Sequence, residues 1–265
     1  MKIAAAQMST TENKEENLAK ILMYIQLASK QNADMVILPE MAMALVTANN
    51  GLKPAEVAES VNGPFVSALQ KSAKEGNIYV VCGIFESIPD NTQQAFNTIV
   101  AINSNGALER IYRKTHLYDA FSYKESDTIL PGQDLFQVMD TPFGKIGMMV
   151  CYELRFPEVA RHLVDQNADL IIIPAGWVKG PLKEEHWQTL LKARAIENTV
   201  FVCGCNQSGT VYTGRSMLVD PMGVVMADAG EEEGLIATTI DFGRIDTVRK
   251  TVPCLNGRRR ELYTQ

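Results

Sequence analysis

Gln31-Asn32-Ala33-Asp34-Met35-Val36-Ile37-Leu38-Pro39 returns in the second half of the chain as Gln166-Asn167-Ala168-Asp169-Leu170-Ile171-Ile172-Ile173-Pro174. Each copy is a polar turn followed by a continuous apolar run, the pattern of a strand buried on both faces. A second pair of words follows in the same order: Asn77-Ile78-Tyr79-Val80-Val81-Cys82-Gly83 and Asn198-Thr199-Val200-Phe201-Val202-Cys203-Gly204. Each half then ends in a hairpin with a glycine turn, at Gly106 and at Gly223. The period is too long for a solenoid. Two similar helix–strand halves predict an α/β fold of two mixed sheets packed face to face with helices outside, a four-layer α-β-β-α sandwich.

Outward from these words, residues 3–7 read as a short apolar strand. Residues 10–30 read as a helix, with Leu18, Ile21, Leu22 and Ile25 at spacings of three and four. A second helix is expected over 63–75, a buried strand over 77–85, and a hairpin of 96–102 with 107–113 around Asn103-Ser104-Asn105-Gly106. In the second half, 144–150 enters a buried strand and 157–166 is a helix with Pro157 at its first position. A strand over 170–173, a long helix over 182–198, a strand over 200–205 and a hairpin over 217–225 complete the pattern. No low-complexity linker divides the chain, so residues 1–265 read as a single domain with a polar, basic C-terminal arm from about residue 243.

The 265 residues are 46% apolar and 21% charged, enough for a sizeable core. A formal charge of −6 argues against non-specific nucleic-acid binding, and Arg258-Arg259-Arg260 is too short a basic run to reverse that. No apolar run approaches the roughly 18 residues of a membrane helix. Met1-Lys2-Ile3-Ala4-Ala5-Ala6-Gln7 has only a short apolar stretch, so neither a membrane segment nor a secretory signal is expected. Five cysteines, an odd number in a chain too long to need staples, read as reduced thiols in a cytoplasmic protein.

Three residues stand where strand-like runs end: Glu40 after Leu38-Pro39, Lys114 in Tyr112-Arg113-Lys114-Thr115-His116-Leu117, and Cys151 after Met149-Val150. Loops at the carboxyl ends of strands converge on ligands. Cys151 lies between an apolar strand and a helix, where free amides and the helix dipole are expected to favour thiolate. Cys82, Cys203 and Cys205 lie inside apolar strands and read as small buried hydrophobes. Glu40 at the end of a buried run is partly desolvated and suited to proton transfer. Lys114 can hold a cation beside a developing oxyanion. Taken singly, each of the two charged residues reads as readily as a solvated loop residue.

In combination they resemble the nitrilase superfamily of carbon–nitrogen hydrolases. Leu38-Pro39-Glu40, Tyr112-Arg113-Lys114-Thr115-His116-Leu117 and Cys151-Tyr152-Glu153-Leu154-Arg155-Phe156-Pro157-Glu158 stand in the family's order. Similar words occur at Pro174-Ala175-Gly176-Trp177, Arg194-Ala195-Ile196-Glu197-Asn198 and Arg259-Arg260-Glu261-Leu262-Tyr263, so the resemblance covers nearly the whole chain. It implies a Glu40-Lys114-Cys151 triad, and a second glutamate, Glu125, that holds Lys114 and helps to orient the substrate. It also implies the same α-β-β-α sandwich. The local words are most similar to the omega-amidase and deaminated-glutathione-amidase branches, which act on small carboxylate-bearing amides.

The residue types then give a mechanism. Cys151 attacks the amide carbon, with Lys114 and the backbone N–H of Tyr152 as donors to the oxyanion. Glu40 takes the thiol proton, passes it to departing ammonia and activates water against the thioester. No metal or cofactor is required. Rival constellations are weaker. His116 can share the face of Lys114, His162 lies in the helix after Cys151, and Cys203-Gly204-Cys205 lacks nearby histidines for a metal site. No GxGxxG or P-loop indicates a nucleotide.

Tyr118, Phe121, Tyr152, Arg155 and Trp177 are candidates for the pocket wall, with Arg155 either paired to a substrate carboxylate or held in a structural ion pair with Glu158 or Glu197. Tyr152 stands where nitrilases carry Trp, which argues against nitriles. The loop Ala120-Phe121-Ser122-Tyr123 is shorter than in typical omega-amidases. Three readings remain open: an amidase for small carboxylate-bearing amides, a nitrilase or N-carbamoyl amino acid hydrolase with the same triad, and a catalytically silent interaction protein. The resemblance further implies a homodimer or higher homo-oligomer built around 157–166, with Val159, His162 and Leu163 on a contact face.

Overall fold

In β1 (Lys2–Gln7), Ile3 and Ala5 enter one hydrophobic cluster while Ala4 and Ala6 enter another. The same split holds in β2 (Met35–Ile37), with Met35 and Ile37 against Val36, and in β3 (Tyr79–Ile88), with Tyr79 and Val81 against Val80 and Cys82. Alternation with both faces apolar is what a sheet enclosed between two layers requires. The computed structural model, which describes residues 1–47, 50–121 and 123–263, shows both layers.

On one face lie α1 (Lys14–Lys30) and α3 (Pro64–Gly76), the latter preceded by a single turn, α2 (Pro54–Val57). Ile21, Ile25 and Ala28 of α1 and Phe65, Leu69 and Ala73 of α3 share a cluster with Ala4, Val36 and Val80. The other face meets a second sheet, whose central strands β11 (Leu170–Ala175) and β12 (Phe201–Asn206) are buried at every position. Cys205 joins the sheets directly: its Sγ lies 3.4 Å from Ala6 O and 3.2 Å from Ile37 O. Outside the second sheet, α4 (Pro157–Asp165) and α5 (Lys183–Asn198) contribute Val159, Leu163, Leu191 and Ala195 to its core. The layers are therefore α-β-β-α.

The sheets are built alike. The first runs β15 (Gly234–Thr239), β1, β2, β3, β4 (Asn91–Ile102), β5 (Leu108–Arg113), with β8 (Ile129–Leu130) beside β4. The second runs β14 (Val225–Asp228), β13 (Met217–Val219), β12, β11, β10 (Gly144–Met148), β9 (Met139–Thr141). In each, three parallel strands are flanked by antiparallel ones. A small hairpin, β6 (Asp119–Ala120) with β7 (Tyr123–Lys124), stands apart.

The repeated words occupy equivalent places. Asn32 and Asn167 turn the chain at left-handed φ of 56° and 67°. Asp34 N donates to Lys2 O and Asp169 N to Lys145 O, both at 2.8 Å. Asp34 Oδ2 accepts from Lys2 N at 2.6 Å, and Asp169 Oδ2 from Lys145 N at 2.8 Å. Each aspartate thus pins its strand to the neighbouring parallel one.

Four sequence expectations shift. The first helix begins at Lys14 rather than residue 10, because Asn13 caps it: Asn13 Oδ1 accepts from Glu15 N and Glu16 N. Strand β15 was not anticipated; none of its residues is buried, so it lacks the apolar run of a central strand. The segment from residue 243 begins as α6 (Gly243–Thr251), with Ile245 and Val248 buried, and Arg258 and Arg260 then pair with Asp165 of α4. The proposed contact face of α4 is corrected: Val159 and Leu163 turn inward onto the second sheet, and only His162 of the three, bonded to Gln166 at 2.7 Å, reaches the surface. Among the described residues, no helix is long and apolar enough to cross a membrane.

Burial has a consequence for alkaline stability. It pushes the Cys82 and Cys203 thiols up, the latter to about 12, and raises the Tyr112 and Tyr212 phenols. Below about pH 8.5 the unfolded chain also keeps these thiol protons, so their contribution is whole. Above it, the unfolded thiols ionise while the folded ones do not, and stability falls by up to about 1.4 kcal/mol per pH unit for each group. The melting temperature should therefore decline between about pH 9 and 11. A melting temperature that holds flat there would contradict protonated interior thiols.

Candidate active site

Glu40 follows the end of β2 in a turn where Met41 takes a left-handed φ of 53°. The turn rests on Gly83 of β3, whose N donates to Pro39 O at 3.1 Å. A Cβ at Gly83 would stand 2.5 Å from Glu40 Cα, so only glycine permits this approach. Gly83→Ala should displace Glu40, lower stability by about 1–3 kcal/mol and remove most turnover. Thermal melts and steady-state rates check both, and unchanged turnover would show that the placement of Glu40 is unimportant.

Lys114 leaves the end of β5 with both backbone groups held: its N donates to Asn97 O at 2.9 Å, and its O accepts from Gly132 N at 2.8 Å. Its Nζ bridges two buried carboxylates, at 2.9 Å from Glu40 Oε1 and 2.8 Å from Glu125 Oε2. Asn97 Nδ2 donates to the same pair, to Glu40 Oε1 at 2.7 Å and Glu125 Oε1 at 3.0 Å. Gly176 N donates to Glu40 Oε2 at 2.7 Å, and Tyr118 N to Glu125 Oε2 at 2.6 Å. Burial disfavours the Lys114 cation, but the charges of Glu125 and Glu40 outweigh it and hold the ammonium well above the ordinary lysine range.

Cys151 opens a five-residue 3-10 turn, Cys151–Arg155, just after β10. Its φ of 45° is unusual for a residue with a side chain and marks a strained strand-to-helix turn. Glu153, fully buried, braces this turn. Its Oε2 accepts from Val150 N at 2.8 Å, and its Oε1 from Tyr112 OH at 2.7 Å and from Thr115 N at 2.9 Å. One carboxylate thus ties the Cys151 turn to the segment carrying Lys114. Burial opposes its charge, but hydrogen bonds from His116, Thr115 and Tyr112 hold Glu153 below the ordinary carboxylate range.

The surroundings of Cys151 work against the thiolate expected from free amides and a helix dipole. Burial and the adjacent Glu40 carboxylate push Cys151 well above the usual thiol range and outweigh the pull of Lys114. A five-residue turn has little dipole to offset them.

Glu40, Lys114, Glu125 and Cys151 line one cavity of about 360 Å³, the size of a small-molecule site. Tyr118, Tyr152 and Trp177 form its aromatic wall, and Phe121, exposed, stands at its rim. Arg155, a sequence candidate for the wall, lies outside the lining. Its guanidinium sits 4.8 Å from the Trp177 ring and 3.3 Å from His186 Nδ1, in no ion pair with Glu158 or with Glu197, which Arg194 holds at 2.9 Å. Ser122 lies outside the described residues. His116 stacks on Phe156 with ring centroids 4.3 Å apart and bonds Thr115, away from the lining. Among the described residues, no group of three or more His, Cys, Asp or Glu could hold a metal.

Three contributors escaped the sequence reading. Asn97 interrupts the apolar run of β4, and a polar residue at a fully buried strand position was its available signal. Glu153 lay inside the Cys151 word without an assigned role. Lys183 lines the cavity from the first turn of α5, where acidic residues are usual and a lysine is the anomaly.

A family profile described as carbon–nitrogen hydrolase matches residues 2–250. A deaminated glutathione amidase of Escherichia coli O157:H7 is 34% identical over 259 residues, 98% of this chain and 97% of that protein. A protein of the same name from Synechocystis is 36% identical over 267 residues, 96% of this chain and 97% of its own. Among solved structures, Saccharomyces cerevisiae Nit3, described as a member of branch 10 of the nitrilase superfamily, superposes with a TM-score of 0.86 at 29% identity, covering 98% of this chain and 96% of that one. The C. elegans NitFhit protein gives a TM-score of 0.91 at 30% identity, over 99% of this chain and 66% of that chain.

Proposed function

The chain belongs to the carbon–nitrogen hydrolase family and acts on carbon–nitrogen bonds other than peptide bonds, and from that premise we propose that it hydrolyses small carboxylate-bearing amides to acid and ammonia through a thioester on Cys151. One observation carries the reading: a thiol, a buried carboxylate and a buried cation share one small cavity. The relatives named as amidases support an amide substrate.

With burial and Glu40 pushing the Cys151 thiol up, attack is coupled to proton transfer. As sulfur bonds to the amide carbon, its proton passes to Glu40, and the carbonyl π electrons move to oxygen. Lys114 and the N–H of Tyr152 are the oxyanion donors. That N–H makes no backbone hydrogen bond among the described residues. One such donor is worth roughly 3 kcal/mol. The tetrahedral intermediate collapses as Glu40 delivers its proton to the nitrogen and ammonia leaves. Water then attacks the thioester, losing a proton to Glu40; the acid departs and the thiol is reprotonated. Glu125 keeps Lys114 fixed and charged throughout, and Asn97 ties the two carboxylates to one donor.

Ammonia release from a panel of ω-amides, nitriles and carbamoyl amino acids tests the reading, together with the intact mass of enzyme quenched in acid during turnover. Expected are ammonia and acid from the amides, and a protein mass increased by the acyl group on Cys151. Turnover confined to nitriles, or an amine with carbon dioxide from carbamoyl substrates, would transfer the same triad to those reactions. Silence across the whole panel would overturn the proposal.

A further inference from the structure

Lys183 lines the same cavity and takes no part in the chemistry above. It is 4% exposed. Its Nζ donates to Tyr118 OH at 3.0 Å and lies over three aromatic rings, 4.7 Å from the centroids of Tyr118 and Phe121 and 5.1 Å from that of Trp177. Among the described residues, no carboxylate lies within ion-pair distance of it. By contrast, the buried Lys114 has two and the buried Arg194 has one.

Three placements work against this cation. It is desolvated, it shares the Trp177 ring with the Arg155 guanidinium, and it opens a 16-residue helix whose N-terminus is the positive end of the dipole. Burial and the Arg155 charge accordingly push Lys183 below the ordinary lysine range. The aromatic faces offset part of this. A bound anion would offset the rest, and Lys183 lines the same cavity as Cys151.

We propose that Lys183 is the specificity-determining residue that receives the carboxylate at the far end of the substrate while the amide carbon meets Cys151. The proposal rests on the amidase reading for its substrate, but the anion site itself is independent of turnover. In this arrangement Arg155 acts from behind Trp177 and raises the local potential without touching the ligand.

The test is titration calorimetry of glutarate, with 1,5-pentanediol as the neutral compound of equal length, into wild type, Lys183→Met and Lys183→Arg, followed by rates on a carboxylate-bearing ω-amide and on its uncharged counterpart. Wild type should bind glutarate and ignore the diol. Lys183→Met should weaken glutarate binding by about 100-fold, and Lys183→Arg should recover part of it. On the charged amide the Lys183→Met loss should appear in KM, with kcat within about threefold, and the loss on the neutral amide should be at least about tenfold smaller. Equal glutarate affinity in wild type and Lys183→Met, or equal losses on charged and neutral amides, would overturn the assignment. Lys183-dependent glutarate binding with no amide hydrolysed by any form would uphold the anion site and remove the amidase reading.

Discussion

Cys151→Ala should lower ammonia release on the order of a million-fold, to the uncatalysed background, with the fold intact. The size of the loss follows from the covalent step. Without sulfur there is no thioester, and Glu40 and Lys114 are left with no nucleophile between them. The small cost to stability follows from the surroundings. The thiol is buried beside a carboxylate that opposes its ionised form, so the variant forfeits only the contacts of one sulfur atom, about 1 kcal/mol. Melting curves and rates on the best amide separate the two effects. Turnover within about a hundredfold of wild type would mean that Glu40 delivers water straight to the amide, with no covalent intermediate.

Lys114→Met should be the most damaging single change to the fold, and it should also cost activity. The side chain is 2% exposed and its ammonium is shared by Glu40 and Glu125. Removing it leaves two buried carboxylates held close by Asn97 with no cation between them. Breaking a buried ion pair from one side costs about 3–5 kcal/mol, and here the stranded charges are two. Activity should fall by at least about 100-fold through the lost oxyanion donor alone. Urea unfolding and turnover measure the two losses. A variant as stable as wild type would show that the carboxylates are neutral in the folded protein, and the general-base role of Glu40 would fail with it.

The fold was legible because duplication writes the same local physics twice. Asp34 and Asp169 are ordinary polar residues in isolation, and the matched words around them expose two equivalent parallel strand pairs. Strand β15 was hidden because an edge strand that is nowhere buried needs no apolar run; its partner, β1, supplies the register instead. At the site, residues at strand ends could be read from sequence, since position alone marks them. The environment of each could not. The upward shift at Cys151 comes first from its burial and then from Glu40, which arrives from the other half of the molecule. Lys183 becomes a cavity residue only because Tyr118 and Phe121, from a distant segment, gather around it with the nearby Trp177. Arg155 read equally as a substrate-carboxylate partner or as half of an ion pair with Glu158 or Glu197, and the 3-10 turn instead sets it against the Trp177 ring, outside the cavity lining.

The pairing of β1 with β15 reaches from Lys2↔Thr239 to Gln7↔Gly234. On a ribosome, β1 would wait for β15, which is made much later. At the usual rate of synthesis that interval is on the order of ten seconds or more. Throughout it the nascent chain holds an unpaired β edge, Lys2-Ile3-Ala4-Ala5-Ala6-Gln7, whose N–H and C=O groups can template onto any neighbouring strand. Chains stalled or cut short of residue 234 keep that edge open permanently. Such fragments should collect with chaperones or in inclusion bodies, and the finished protein should not.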